Sequence, residues 1–400
     1  MVPQPLEPHD VGFPCASDPK LFTPGPLTTS LSVKQAMAHD IGAWDAPLIA
    51  MVKEIRDGLL EAAGVTRAGG WDVTLQPGSG TFGVESMLGS LTPPGGKLLL
   101  IANGAYGERL IRIAQMLKIA VVALRFAEDE PACPVVVAKA LAEHSDVTGV
   151  GVIHCETTTG MNNDIAAVGR VVKEAGKLFL VDAMSSFGAV PIDFDAVGVD
   201  ALVSSANKCM EGVPGFSFVF AKVGLLESAR DGRWARSHSL DLAEQWQGQQ
   251  THGRFRFTPP NQVLLAFRQA MREFVAEGGV TARQARYQGN YETLVDGMSA
   301  MGFGTFLDRE KQSYIITTFL CPADPRFDFM AFYRRLSERG FVIYPGKVTG
   351  SDCFRIGSIG RLYKRDMRGL LLAIGEVVAE MGFDPAPPAR QREEPAIPER

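Results

Sequence analysis

A chain of 400 residues is longer than one compact core sustains and predicts a large domain joined to a smaller one. Its 46% hydrophobic and 21% charged residues, net charge of -5 and pI near 5.8 are those of an ordinary water-soluble globule. They argue against a basic nucleic-acid surface and against an acidic solvating tail.

The chain opens on "MVPQPLEPHDVGFP", which has prolines and acids but no cationic segment before an apolar core, so no signal peptide is expected. No apolar run approaches the length that spans a bilayer. Residues 1–20 read as an N-terminal extension, 21–262 as the large domain and 263–382 as the small one. Residues 383–400, rich in Pro, Arg and Glu, read as a disordered tail that buries too little surface to offset its ordering entropy. Cys15, Cys133, Cys155, Cys209, Cys321 and Cys353 form no CxxC pair, and the six histidines form no HExxH. Reduced thiols, a cytoplasmic location and no metal are the expectation.

From about 50 to 220, apolar runs alternate with amphipathic ones. "WDVTLQ", "KLLLIA", "TGVGVIHC", "KLFLVDA" and "ALVSSA" lack polar alternation, and helical patterns such as "YGERLIRIAQMLKI" and "IAAVGRVVKEAG" separate several of them. That pattern predicts an α/β fold with a mainly parallel sheet flanked by helices. Beyond 262, "NQVLLAFRQAMREFVAEGG", "SYIITTFL", "FMAFYRRLSERG", "FVIYPG", "CFRIGSIG" and "KRDMRGLLLAIGEVVAEMG" predict a smaller α+β unit. Ligands of parallel sheets bind outside the carboxyl ends of the strands, so the loops after each run are where chemistry is sought.

After "WDVTLQ" comes "PGSGTFG". Ser79, Gly80 and Thr81 can open a helix whose free N–H groups suit a phosphate. The run also matches G-x-G-x-x-G, but residues 86–107 contain no acid to hold a ribose, and a plain glycine turn stays open. After "KLLLIA", Tyr106 can stack on a flat ring or simply pack. "CETTTG" offers three threonines as ligands or as turn and cap residues. "KLFLV" ends in Asp182, a strand-end carboxylate in need of a cation or a helix N-terminus. "ALVSSAN" leads to Lys208, a surface lysine or an amine activated by burial. Together a phosphate cradle, a stacking ring, a carboxylate and an amine meet the needs of pyridoxal 5'-phosphate, whose aldehyde takes up Lys208 and whose ring nitrogen faces Asp182.

The stretches "LFTPGPLTTSLSVKQAM", "QPGSGTFGVESMLGS", "NGAYGERL", "HCETTTGM", "VDAMSSFGAVPID", "SSANKCMEGVPGF", "RFRFTPP", "FYRRLSERGFVIYPGK" and "DCFRIGSIG" cover residues 20 to 382 in order. In them the chain resembles the class V, fold type I aminotransferases, most closely the 2-aminoethylphosphonate–pyruvate transaminases. The resemblance implies Lys208 as Schiff-base lysine, Asp182 as pyridinium partner and Tyr106 at the stacking position. It implies Ser79, Gly80 and Thr81 at the phosphate, Thr157 near the ring hydroxyl, and Thr258 reaching the phosphate of a second subunit in a homodimer with shared active sites. Gly25 would line the substrate cleft and Arg355 bind the substrate anion. The implied reaction converts 2-aminoethylphosphonate and pyruvate to phosphonoacetaldehyde and L-alanine.

The competing readings are an alanine–glyoxylate or serine–pyruvate transaminase, a cysteine desulfurase using Cys321 or Cys353, a nicotinamide-dependent oxidoreductase, and a non-catalytic pyridoxal-phosphate-binding module. Asn207 and Tyr106 stand where desulfurases usually carry histidines.

Overall fold

The computed structural model describes residues 18–388. The expected extension through residue 17 and the tail from 389 lie outside these described residues.

Seven strands form the large sheet: β1 (Trp71–Pro77), β2 (Lys97–Ala102), β3 (Ala120–Arg125), β4 (Gly149–Ile153), β5 (Leu178–Asp182), β6 (Ala201–Ser205) and β7 (Phe216–Lys222). Their spatial order is β1-β7-β6-β5-β4-β2-β3. All neighbouring pairs are parallel except β7, which runs antiparallel to both β1 and β6. The mainly parallel α/β sheet expected from the apolar runs is therefore present. The runs singled out there did not include β3 and β7. β3 is an edge strand with exposed ends, and β7 follows the glycine-bearing turn after Lys208 without a helix between.

Alternation explains why the inner strands read as unbroken apolar runs. Leu99 and Ile101 belong to the core on one face, with Val137 and Leu141 of helix Pro134–Glu143 and Val168 of helix Ile165–Glu174, while Leu98 and Leu100 belong to the core on the other, with helices Gly80–Leu91 and Ala105–Met116. Both faces are covered, so neither needs polar side chains.

Three further strands, β8 (Ile316–Leu320), β9 (Tyr344–Pro345) and β10 (Cys353–Gly357), form an antiparallel C-terminal sheet with β10 in the centre. Helix Lys364–Met381 and a group of phenylalanines, Phe303, Phe319, Phe332 and Phe354 among them, complete its core.

Three details depart from the expected boundaries. Helix Asn261–Glu277 begins near the expected junction, yet Leu264, Phe267 and Phe274 share the core of the large sheet. Lys20–Leu21 pairs in parallel with Phe341–Val342, which puts Phe22 in the C-terminal core. Phe383 is 4% exposed and packs edge-on against Phe327, so residues 383–388 are held against the protein rather than belonging to a free tail. Apolar burial of these side chains outweighs the polar composition around them. Among the described residues, no helix is long and apolar enough to cross a membrane, and no His, Cys, Asp and Glu group suits a metal ion.

Candidate active site

Register fixes where the site lies. Asp182 ends β5, opposite Ile153 of β4 and Val203 of β6. The turn after β6 carries Lys208, and the helix after β2 carries Tyr106. All three therefore stand at the carboxyl edge of one parallel sheet.

Asp182 is buried, and its Oδ1 accepts the Met184 N–H at 2.8 Å. Among the described residues it has no ion-pair partner. Burial pushes its carboxyl up to about 6, although Lys208 and Arg109 pull the other way. A buried carboxylate with an open oxygen suits a protonated ring nitrogen. Lys208 is half-buried, and its Nζ donates to the Pro24 carbonyl at 2.6 Å. Burial lowers its pKa, so the neutral amine is more available than in a free lysine.

Gly25 faces that amine. It has φ +117°, and a Cβ there would lie 2.7 Å from Lys208 Cδ and 2.8 Å from Nζ. Only glycine leaves the lysine room.

Tyr106 sits at the start of helix Ala105–Met116. A latch of two residues holds that start. Glu156 accepts the Gly107 N–H at 3.1 Å and the Thr158 hydroxyl at 2.6 Å, and Thr158 Oγ1 accepts the Ala105 N–H at 2.9 Å. Orphan helix N–H groups are thereby satisfied by a buried carboxylate and by the hydroxyl that it holds. Burial would raise the Tyr106 phenol, but Lys208, Lys347 and Arg355 outweigh it and the net shift is down. The Thr157 hydroxyl lies against this phenol.

Ser79 caps helix Gly80–Leu91 without a side-chain bond to it, which leaves its hydroxyl and the first helical N–H groups for a ligand. A Cβ on Gly80 would lie 2.5 Å from Met184 Sδ, so this helix start packs on the turn of Asp182. The glycine turn follows β1, an edge strand whose neighbour is antiparallel. A dinucleotide fingerprint belongs between central parallel strands, and this placement argues against the nicotinamide reading.

Arg355 lies in the middle of β10, 2% exposed. Its Nε donates to Pro345 O at 3.0 Å and its Nη1 to Thr157 O at 2.7 Å. The second bond reaches the hairpin after β4. That hairpin docks on the C-terminal unit through Gly160, whose carbonyl accepts the Ser313 N–H at 2.7 Å. Those two bonds engage two of its five N–H groups, which leaves donor capacity for an anion.

The structure thus gathers Gly25, Tyr106, Thr157, Asp182, Lys208 and Arg355, with Ser79, Gly80 and Thr81 adjoining through Met184. Thr258 stands apart. It is exposed beside Phe257, which is 48% exposed, and has no bond to that cluster. Cys321 is not an activated thiol, because burial pushes it up to about 12.

Sequence reasoning missed the residues that hold the cluster in place. Glu211, at φ +56°, receives Arg286 Nη2 and the Tyr287 hydroxyl, each at 2.6 Å, and Arg283 Nη1 donates to Cys209 O at 2.6 Å. These bonds fix the turn that carries Lys208. The only local signal was the acid of "KCMEG", three residues past the lysine; the arginines lie over 70 residues away.

A family model described as aminotransferase class-V matches residues 87–350. A 2-aminoethylphosphonate–pyruvate transaminase of Salmonella paratyphi B is 49% identical over 360 residues, covering 88% of this chain and 96% of the relative. One from Phocaeicola vulgatus is 47% identical over 359 residues, covering 89% and 98%. A solved ureidoglycine–glyoxylate aminotransferase of Bacillus subtilis superposes with a TM-score of 0.85 at 21% identity, over 92% of this chain and 95% of that one. That last likeness shows the fold, whereas the family match and the two close relatives go further: the chain belongs to the class V aminotransferase family.

Proposed function

We propose that this enzyme moves the amino group of 2-aminoethylphosphonate to pyruvate, giving phosphonoacetaldehyde and L-alanine, with pyridoxal 5'-phosphate as cofactor. The convergence of an open buried carboxylate, a depressed lysine amine and a tyrosine ring at one sheet edge carries this reading. The name of the relatives at 49% and 47% identity supports the substrate pair. When bound, the cofactor supplies an aldehyde that takes up the amino group and a ring that accepts electrons from the reacting carbon.

The protein's own part is binding, orientation and proton transfer. Ser79, Thr81 and the helix N–H groups after Gly80 hold the phosphate, and Tyr106 covers the ring beside Thr157. Asp182 stays ionised against the ring nitrogen and keeps a proton on it. Lys208 Nζ takes the proton from the carbon that bears the donor's amino group and returns one in the pyruvate half-reaction. Gly25 leaves the cleft open above that amine. Arg355 grips the phosphonate of the donor and the carboxylate of the acceptor in turn.

We further read the enzyme as a cytoplasmic homodimer whose sites are shared. The exposure of Thr258, away from the cluster of its own chain, supports that assembly, in which it would reach the neighbouring subunit's phosphate. Free thiols at Cys133, Cys155, Cys209, Cys321 and Cys353 accord with a reducing compartment.

The test is alanine formation from pyruvate with 2-aminoethylphosphonate, serine and cysteine offered as donors, beside glycine formation from glyoxylate with alanine and serine as donors. 2-Aminoethylphosphonate should be strongly preferred, and Lys208→Ala should lose both the yellow colour and turnover. A preference for serine, with glyoxylate as the better acceptor, would replace this reading by the serine–pyruvate or alanine–glyoxylate one. Release of sulfide from cysteine would favour a desulfurase, and cofactor binding with no turnover on any donor a binding module.

A further inference from the structure

The donor and acceptor differ in charge. A phosphonate gives up its second proton around neutral pH, a little later than a phosphate ester, and can then carry two negative charges, while a carboxylate carries one. Arg355 has one positive charge, and two of its five N–H groups are already bonded to Thr157 O and Pro345 O. It can neutralise a carboxylate. A phosphonate beside it leaves a further charge, which is costly to bury without a second cation.

A second cation stands nearby. Lys347 lies on the strap that follows β9, two residues past the Pro345 carbonyl that holds Arg355 Nε. Its Nζ is 4.3 Å from the centre of the Tyr106 ring, the side chain is half-buried, and among the described residues it has no carboxylate partner. The charges of Lys208, Lys347 and Arg355 all reach the Tyr106 hydroxyl, so Lys347 shares the electrostatic surroundings of the cluster. The strap closes onto the large sheet, where Thr349 N–H donates to Glu128 Oε2 at 2.7 Å. Lys347 and Thr349 also border a cavity of about 560 Å³ with Glu108, Arg109, Arg112 and Glu128, and this cavity lies outside the cluster of Tyr106, Asp182, Lys208 and Arg355.

Resting on the substrate pair proposed above, we infer that Lys347 is a second anion-binding residue that selects a dianionic phosphonate over a monoanionic carboxylate. Arg355 serves both substrates, whereas Lys347 serves the donor. An ammonium on a flexible stem suits this intermittent duty, because it can return to the Tyr106 face when pyruvate is bound.

The experiment compares Lys347→Met, which keeps the apolar stem on Tyr106, with Lys347→Arg, which keeps the charge. The two half-reactions of the holoenzyme are followed separately, and ethylphosphonate and propionate serve as unreactive probes for equilibrium binding at a pH above the second ionisation of the phosphonate. Lys347→Met should raise the half-saturation concentration for 2-aminoethylphosphonate and the Kd for ethylphosphonate about 10- to 100-fold, as expected for loss of a partly desolvated charge pair. Pyruvate and propionate should change by less than about threefold, and Lys347→Arg should restore most of the donor affinity. Equal losses for phosphonate and carboxylate would mean that Lys347 only docks the strap, and no loss for either would also overturn the inference. If the wild-type enzyme neither turns over 2-aminoethylphosphonate nor prefers ethylphosphonate to propionate, the proposed reaction falls and takes this inference with it. A wild-type preference that survives in Lys347→Met rejects the role of Lys347 alone.

Discussion

Replacing Asp182 with asparagine should stabilise the cofactor-free chain and disable the enzyme in the same stroke. Burial holds this carboxyl up at about 6 against 3.8 in a solvated chain. A carboxyl raised on folding supports the fold only while protonated. That support is complete below 3.8 and is lost as pH rises through about 6. At about 1.4 kcal/mol per tenfold, the ionised form costs the cofactor-free fold roughly 3 kcal/mol at pH 7 but only about 0.5 kcal/mol at pH 4. Asparagine removes the charge and keeps an oxygen for the Met184 N–H, now at 2.8 Å from Oδ1. Its amide N–H groups find no acceptor, which returns roughly 1 kcal/mol. The net gain is about 2 kcal/mol at pH 7 and disappears near pH 4. Urea unfolding of both cofactor-free proteins between about pH 4 and pH 8 reads this directly. The same substitution should cut turnover at least about 100-fold, because the charge that keeps the ring nitrogen protonated is gone. A variant no more stable than wild type at the upper end, or a difference that stays flat with pH, would refute the reasoning. The strain would then not reside in this carboxylate, and the trade between stability and function would have another source.

Gly25→Ala should push the Lys208 amine out of place, since the new Cβ would lie 2.7 Å from its Cδ. The visible absorbance of the cofactor should shift and kcat fall by roughly 10- to 100-fold, and unchanged values of both would contradict the close approach. Glu211→Gln should cost roughly 3 kcal/mol at pH 7, because Arg283, Arg286 and Arg361 hold this buried carboxyl near 2 rather than 4.5 against the opposing effect of burial. The support is present above 4.5 and fades as pH falls towards 2, so the gap between wild type and variant should narrow in acid; a gap independent of pH would count against the ion cluster. Thr258→Ala should speed cofactor loss without changing the melting temperature of the cofactor-free protein, and an active monomer in light scattering would rule out a shared site.

The sequence by itself determined the alternation of buried strands and helices, because a side chain that must face a core has to be apolar wherever it lies. It also determined which chemistry was on offer at the strand ends, since a lone Asp182 after "KLFLV" and a lone Lys208 after "ALVSSAN" are out of place unless something pairs with them. Tertiary structure decided what local pattern does not encode. β7 lies antiparallel between β1 and β6, and that pairing makes β1 an edge strand and argues against a dinucleotide site at its turn. Helix Gly279–Ala300 was not legible, because glycines and polar residues such as Gly289, Asn290 and Gly297 blur its apolar stripe. Its burial comes from packing against helix Lys364–Met381 and from contacts made by Arg283 and Tyr287. Glu211 reads in the sequence as an ordinary turn acid and becomes an anchor only when Arg283, Arg286 and Arg361 arrive from far along the chain. Lys347 likewise gains meaning only from the ring it covers. Charges separated by many residues couple through space and burial, and neither quantity is written in sequence order.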